Sequence, residues 1–150
     1  MCGLVGLYQK EGEALQRIFD GLIQVQHRGQ DAGGICTLQS SKINTHKELG
    51  LISEIFRNID INILKGNIGI GHVRYPTAGT DNVNEAQPFH TTNPINIALA
   101  HNGTLTNSDE IKTKLKKLNF CQFNTNSDSE VLLNLLSVSY THLTLPTISR

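Results

Sequence analysis

Apolar residues recur along this chain with distinguishable periods, and each period predicts an element. Leu4, Val5, Gly6, Leu7 and Tyr8 form a short apolar, glycine-punctuated run that reads as a buried strand. Over residues 13–26, Leu15, Ile18, Phe19, Leu22 and Ile23 recur at i, i+3, i+4, i+7 and i+8, the stripe of an amphipathic helix that should pack on that strand. Residues 33–38 and 43–46 flank the polar Gln39-Ser40-Ser41-Lys42, which predicts a hairpin with a loop of a few residues. Residues 51–64 are ambiguous. Residues 67–74 alternate, placing Ile68, Ile70, His72 and Arg74 on one strand face and Gly69, Gly71 and Val73 on the other. Residues 75–94 are rich in proline, asparagine, threonine and aspartate and predict a long loop. Residues 95–102 alternate again and end in His101-Asn102-Gly103. Asn107 with Glu110, and Ser127 with Glu130, fit the capping-box spacing. The first opens a helix with the stripe Ile111, Leu115 and Leu118, the second a helix carrying Val131, Leu132, Leu135 and Leu136. The order of strand, helix, hairpin strands and then helices predicts an α+β fold, with antiparallel sheet covered by helices.

Composition narrows the function classes. A chain of 150 residues with 38% apolar content builds one domain around a single core. Lys plus Arg (13) equals Asp plus Glu (13), so no net field favours a nucleic-acid backbone or an anionic membrane, and neither partner is expected. No apolar run approaches the roughly 18 to 20 residues a membrane helix needs, and no signal-peptide pattern opens the chain, so a cytoplasmic location is expected. Cys2, Cys36 and Cys121 are odd in number and widely spaced, which suggests neither a disulfide framework nor a thiolate zinc site. His27, His72, His90 and His101 are scattered without zinc-helix spacing, and no metal site is expected.

Cys2 stands directly after the initiator methionine, and its small side chain should permit removal of Met1. The thiol would then share its carbon with a free α-amine. An ordinary thiol titrates at about 8.5 and an α-amine at about 7.7 to 8.0, so the amine can take the thiol proton near neutral pH. Attack on an amide carbonyl also needs donors for the oxyanion, which Asn102-Gly103 offers as one side-chain amide and one backbone N–H. Arg74 ends an otherwise apolar strand face with a fork suited to a carboxylate. Each residue alone has an ordinary alternative: a chance second residue for Cys2, a turn for Asn-Gly, a surface ion pair for Arg74 and a helix-dipole contact for Asp128.

Six blocks occur together: CGLVG at 2–6, HRGQDAGGI at 27–35, GIGHVRYPTAG at 69–79, NEAQPF at 84–89, AHNGTLTN at 100–107 and SDSE at 127–130. In this order and spacing they resemble the glutaminase domain of the class II glutamine amidotransferases, which are N-terminal-nucleophile hydrolases. The resemblance covers residues 1–138 and implies antiparallel sheets layered between helices, αββα, C-terminally incomplete. It implies Cys2 as nucleophile and Asn102 with Gly103 as oxyanion hole. It further implies Arg74 and Asp128 as holders of the glutamine α-carboxylate and α-amino groups, Thr77 and Ala78 beside them, and Arg28 in a block that shapes the site. The HRGQDAGG and GHVRYPTAG blocks are most similar to members that pass ammonia to a C-terminal phosphoribosyltransferase domain. That domain binds phosphoribosyl pyrophosphate with magnesium and makes phosphoribosylamine for purine synthesis. Glucosamine-6-phosphate synthases and asparagine synthetases are less similar. The resemblance implies no cofactor for this chain, magnesium only in that further domain, glutamine as substrate and a homo-oligomer for the intact protein. Residues 139–150 match nothing expected of the family and resemble translated adapter sequence, so no functional contribution is expected from them. A glutaminase serving another synthase, and an inactive truncated chain, stay open as alternatives.

Overall fold

The opening apolar run forms strand β1 (Gly3–Tyr8), and the amphipathic stripe after it forms helix α1 (Leu15–Val25), which tightens into a 3-10 turn at Gln26–Arg28. The chain is seen here in a computed structural model that describes residues 1–75, 82–117 and 122–143, the last three as backbone only. Strands β2 (Ala32–Gln39) and β3 (Lys42–Leu49) make the expected hairpin. The turn between them is shorter than the polar run suggested: only Ser40 and Ser41 lie outside the strands, both at positive φ, the conformation a two-residue hairpin turn needs. The ambiguous stretch resolves into a single turn of helix, α2 (Ile52–Ile55), and a 3-10 turn at Ile61–Leu64. Strand β4 (Ile68–Arg74) follows, then β5 (Phe89–Thr91), β6 (Ile97–Leu99), α3 (Ser108–Lys117) and α4 (Asp128–Leu143).

Strands β1, β4, β2 and β3 pair in that order, all antiparallel, into one sheet, while β5 and β6 form a second. The alternation in β4 decides which face meets what. A methyl group on Gly71 would lie 2.7 Å from Ile18 Cγ2 and 2.7 Å from Leu22 Cδ1, so α1 packs directly on the glycine face. Ile18, Leu22, Ile35, Ile52, Leu64 and Val73 are fully buried there and form the core. The second sheet lies against the other face: His90 Nδ1 is 3.1 Å from Thr45 Oγ1, and Lys47 sits 4.5 Å above the Phe89 ring. Helix α4 packs on β5 and β6 with α3 beside it. The layers therefore run helix, sheet, sheet, helix, the α+β architecture the pattern predicted.

Four expectations need correction. Residues 75–94 are not all loop, because β5 lies among them; three residues are too few to show a period. The strand expected over 95–102 is regular only at Ile97–Leu99, so His101, Asn102 and Gly103 lie beyond it in irregular chain. The capping boxes do not close as predicted. Glu110 pairs with Lys114 at 2.6 Å, while Glu130 reaches past Ser127 to accept from the Asn124 and Thr125 amides at 2.9 and 2.8 Å. Helix α4 also turns a different face inward than its leucine pattern indicated, since Val131 and Leu133 are buried and Leu136 is 43% exposed. Leu118 and Cys121 lie outside the described residues.

Candidate active site

The register of the larger sheet brings the first wall of the site together. Strand β4 pairs Val73 with Gly3 on one side, and Arg74 with Ala32 on the other. Cys2, one step before Gly3, therefore stands level with Arg74, and Asp31, one step before Ala32, reaches the same sheet end. Asp31 donates its N–H to the Arg74 carbonyl at 3.2 Å, and its carboxylate lies 3.5 Å from the Arg74 guanidinium. Arg74 is only 7% exposed, so the reading of a surface ion pair does not hold. Arg28 donates from Nε to the Cys2 carbonyl at 2.9 Å, fixing the backbone of Cys2 rather than lining the cavity. Gly29 beside it lies against the end of β4, where a Cβ would come within 2.4 Å of the Arg74 carbonyl carbon, so only glycine permits this close approach of backbone to backbone.

The facing wall comes from the irregular chain between β6 and α3 and from the first turn of α4. Asn102 Oδ1 accepts a hydrogen bond from the Cys2 nitrogen at 3.2 Å. With Oδ1 committed to that nitrogen, Nδ2 on the other arm of the planar carboxamide is left as a donor. Gly103 follows directly. Leu105 donates its N–H to Asp128 Oδ2 at 2.7 Å, which ties the Asn102-Gly103 segment to the start of α4. Cys2, Arg74, Asn102, Gly103 and Asp128 all line one cavity of about 700 Å³. The positions singled out in four separate blocks thus converge on one concavity. Thr77 and Ala78, expected beside them, lie outside the described residues.

Sequence reasoning gave no role to several groups that build this site. Asp31 is the anchor for Arg74. Glu85 accepts from the Asn126 N–H at 2.9 Å, and both residues line the cavity. Gln87 hydrogen-bonds to both backbone groups of His101, next to Asn102. His72, on the same strand face as Arg74, is fully buried, and burial pushes its pKa down to about 4. All four lie inside or beside the quoted blocks, yet nothing in composition or periodicity separates them from their neighbours. Among the described residues, no group of three or more His, Cys, Asp or Glu side chains is placed to hold a metal ion. No helix among them is long and apolar enough to cross a membrane.

Comparison with known proteins bears on family and fold. Residues 72–148 match the family described as a glutamine amidotransferase domain, and the chain belongs to that family. Similar individual proteins include amidophosphoribosyltransferases. That of Pasteurella multocida is 48% identical over 143 residues, which is 95% of this chain and 28% of that protein. That of Escherichia coli is 47% identical over 138 residues, 91% of this chain and 27% of that protein. Among solved structures, the glutamine phosphoribosylpyrophosphate amidotransferase of B. subtilis, complexed with ADP and GMP, superposes with a TM-score of 0.77 at 39% identity. The match covers 91% of this chain and 29% of that one. The chain thus shares its fold with an amidophosphoribosyltransferase and spans under a third of the length of these relatives.

Proposed function

We propose that this chain hydrolyses glutamine to glutamate and ammonia through a thioester on Cys2. The observation that carries this reading is the convergence of Cys2, Asn102, Gly103, Arg74 and Asp128 on one cavity, with the Cys2 nitrogen held by Asn102. Met1 is 77% exposed, accessible for the removal that would turn the Cys2 nitrogen into a free amine. The amine takes the thiol proton, and the sulfur attacks the side-chain amide carbon of glutamine. The carbonyl oxygen becomes an oxyanion met by Asn102 Nδ2 and the Gly103 N–H. The protonated amine gives its proton to the leaving nitrogen, ammonia departs, and a γ-glutamyl thioester remains. Water, deprotonated by the same amine, then releases glutamate and restores the thiol. Arg74 holds the α-carboxylate and Asp128 the α-amino group, one charge of each sign for a zwitterion. In a protein of the relatives' full length, the ammonia would serve phosphoribosylamine formation from phosphoribosyl pyrophosphate. That step belongs to a magnesium-dependent transferase domain of a cytoplasmic homo-oligomer.

The test is glutamate release from glutamine. Cys2→Ala, and a chain that retains Met1, should each lower kcat by about 1000-fold or more, since both remove a group acting on every turnover. Arg74→Lys should raise KM about 10- to 100-fold, the cost of losing a charge-assisted fork. Hydrolysis by Cys2→Ala at the parent rate would refute the mechanism.

A further inference from the structure

The Gln87 side chain touches both halves of the facing wall. It is 8% exposed, and its carboxamide makes three hydrogen bonds. Oε1 accepts from the His101 N–H at 2.7 Å, while Nε2 donates to the His101 carbonyl at 3.2 Å and to Ser129 Oγ at 3.1 Å. His101 precedes Asn102, and Ser129 follows Asp128. Ser129 Oγ in turn lies 3.4 Å from Asp128 Oδ1 and 3.4 Å from the His101 ring nitrogen Nδ1.

This geometry solves a positioning problem. Asn102 and Gly103 lie in irregular chain between Leu99 and Ser108, where no sheet ladder fixes the backbone. A glutamine carboxamide supplies an acceptor and two donors on one plane, so it engages His101 as a neighbouring strand would and still reaches a third group. The Ser129 bond then ties that clamp to the first turn of α4. We infer that Gln87 is a positioning residue that sets the oxyanion donors Asn102 and Gly103 in fixed relation to Asp128. The inference rests on the glutaminase reading above. Its consequence is catalytic because a displacement of about 1 Å at a reacting centre can cost roughly 100-fold in rate.

The experiment pairs amide hydrogen exchange with steady-state glutaminase kinetics on the full chain, parent against Gln87→Met, which keeps the length of the side chain without its hydrogen bonds. Exchange should rise at the amides of His101, Gly103 and Leu105 and stay unchanged in α1 and β4. The kcat should fall about 10- to 100-fold, with a smaller rise in KM. Alkylation of Cys2 by iodoacetamide, which forms no oxyanion, should proceed at the parent rate. Unchanged exchange at residues 101–105 would overturn the inference whatever the activity. So would an intact kcat in an active parent, or a rise in exchange across the whole chain, which would mark Gln87 as a general stabiliser. A parent that does not turn over glutamine would instead count against the glutaminase reading, and the exchange data would still decide the coupling.

Discussion

His72 shows how one buried side chain links the site to stability. It shares a strand face with Arg74, is fully buried, and neither ring nitrogen has a hydrogen-bond partner among the described residues. Burial is the main cause that moves its pKa from 6.5 to about 4; the approach of the His101 backbone offsets part of this, and the Arg74 charge adds to it. The unfolded chain therefore takes up this proton near pH 6.5 and the folded chain only near 4. The stabilisation is complete above the unfolded value and is lost as pH falls through that window. Between pH 7 and pH 5 the loss should be about 2 kcal/mol. Urea unfolding at the two pH values measures it, and His72→Leu should lose about that much less over the same interval. An equal loss in parent and variant would show that His72 contributes nothing to the acid sensitivity. At this scale the sequence was informative where chemistry is rare: an N-terminal thiol, an arginine ending an apolar strand and an Asn-Gly pair stand out by type. Asp31, Gln87 and Glu85 do not, because what distinguishes them is a partner tens of residues away.

The packing of α1 on β4 carries the architecture at the level of elements. Gly71→Ala should cost about 1 to 3 kcal/mol in denaturant unfolding, because the new methyl group meets Ile18 and Leu22 at 2.7 Å. Gly6→Ala is the control: the nearest atom, Ile70 Cγ2, is 3.9 Å away, and the change should cost less than about 1 kcal/mol. Equal effects at both glycines would mean that helix contact does not govern the choice of glycine in β4. These elements were legible in advance, since α1 offers a long stripe at period 3.6 and β4 a clear alternation. Strand β5 was not legible, because Phe89–Thr91 is held by its pairing with β6 and by contacts to Lys47 and Thr45 from the other sheet. The inward face of α4 was misread for a related reason. Val131, Leu132, Leu133, Leu135 and Leu136 spread over more than half of the helix circumference, and the neighbouring sheet rather than the pattern chooses which are covered.

Across the whole molecule, two antiparallel sheets face each other between helices, and the cavity opens where the ends of β1 and β4 meet the chain leading from β6 to α4. The site is thus assembled from positions up to 126 residues apart, Cys2 to Asp128, and exists only when both layers are in place. In the proposed reaction the substrate carries one charge of each sign, and the cavity offers Arg74 and Asp128 as one charge of each sign to meet it. The most direct test of the account is the intact mass before and after exposure to 6-diazo-5-oxo-norleucine, a glutamine mimic that alkylates an activated thiol, with peptide mapping of the adduct. The account predicts loss of Met1 and a single adduct on Cys2 that excess glutamine prevents. A folded chain, shown by circular dichroism, that leaves Cys2 unlabelled or labels Cys36 and Cys121 equally despite excess glutamine would contradict it.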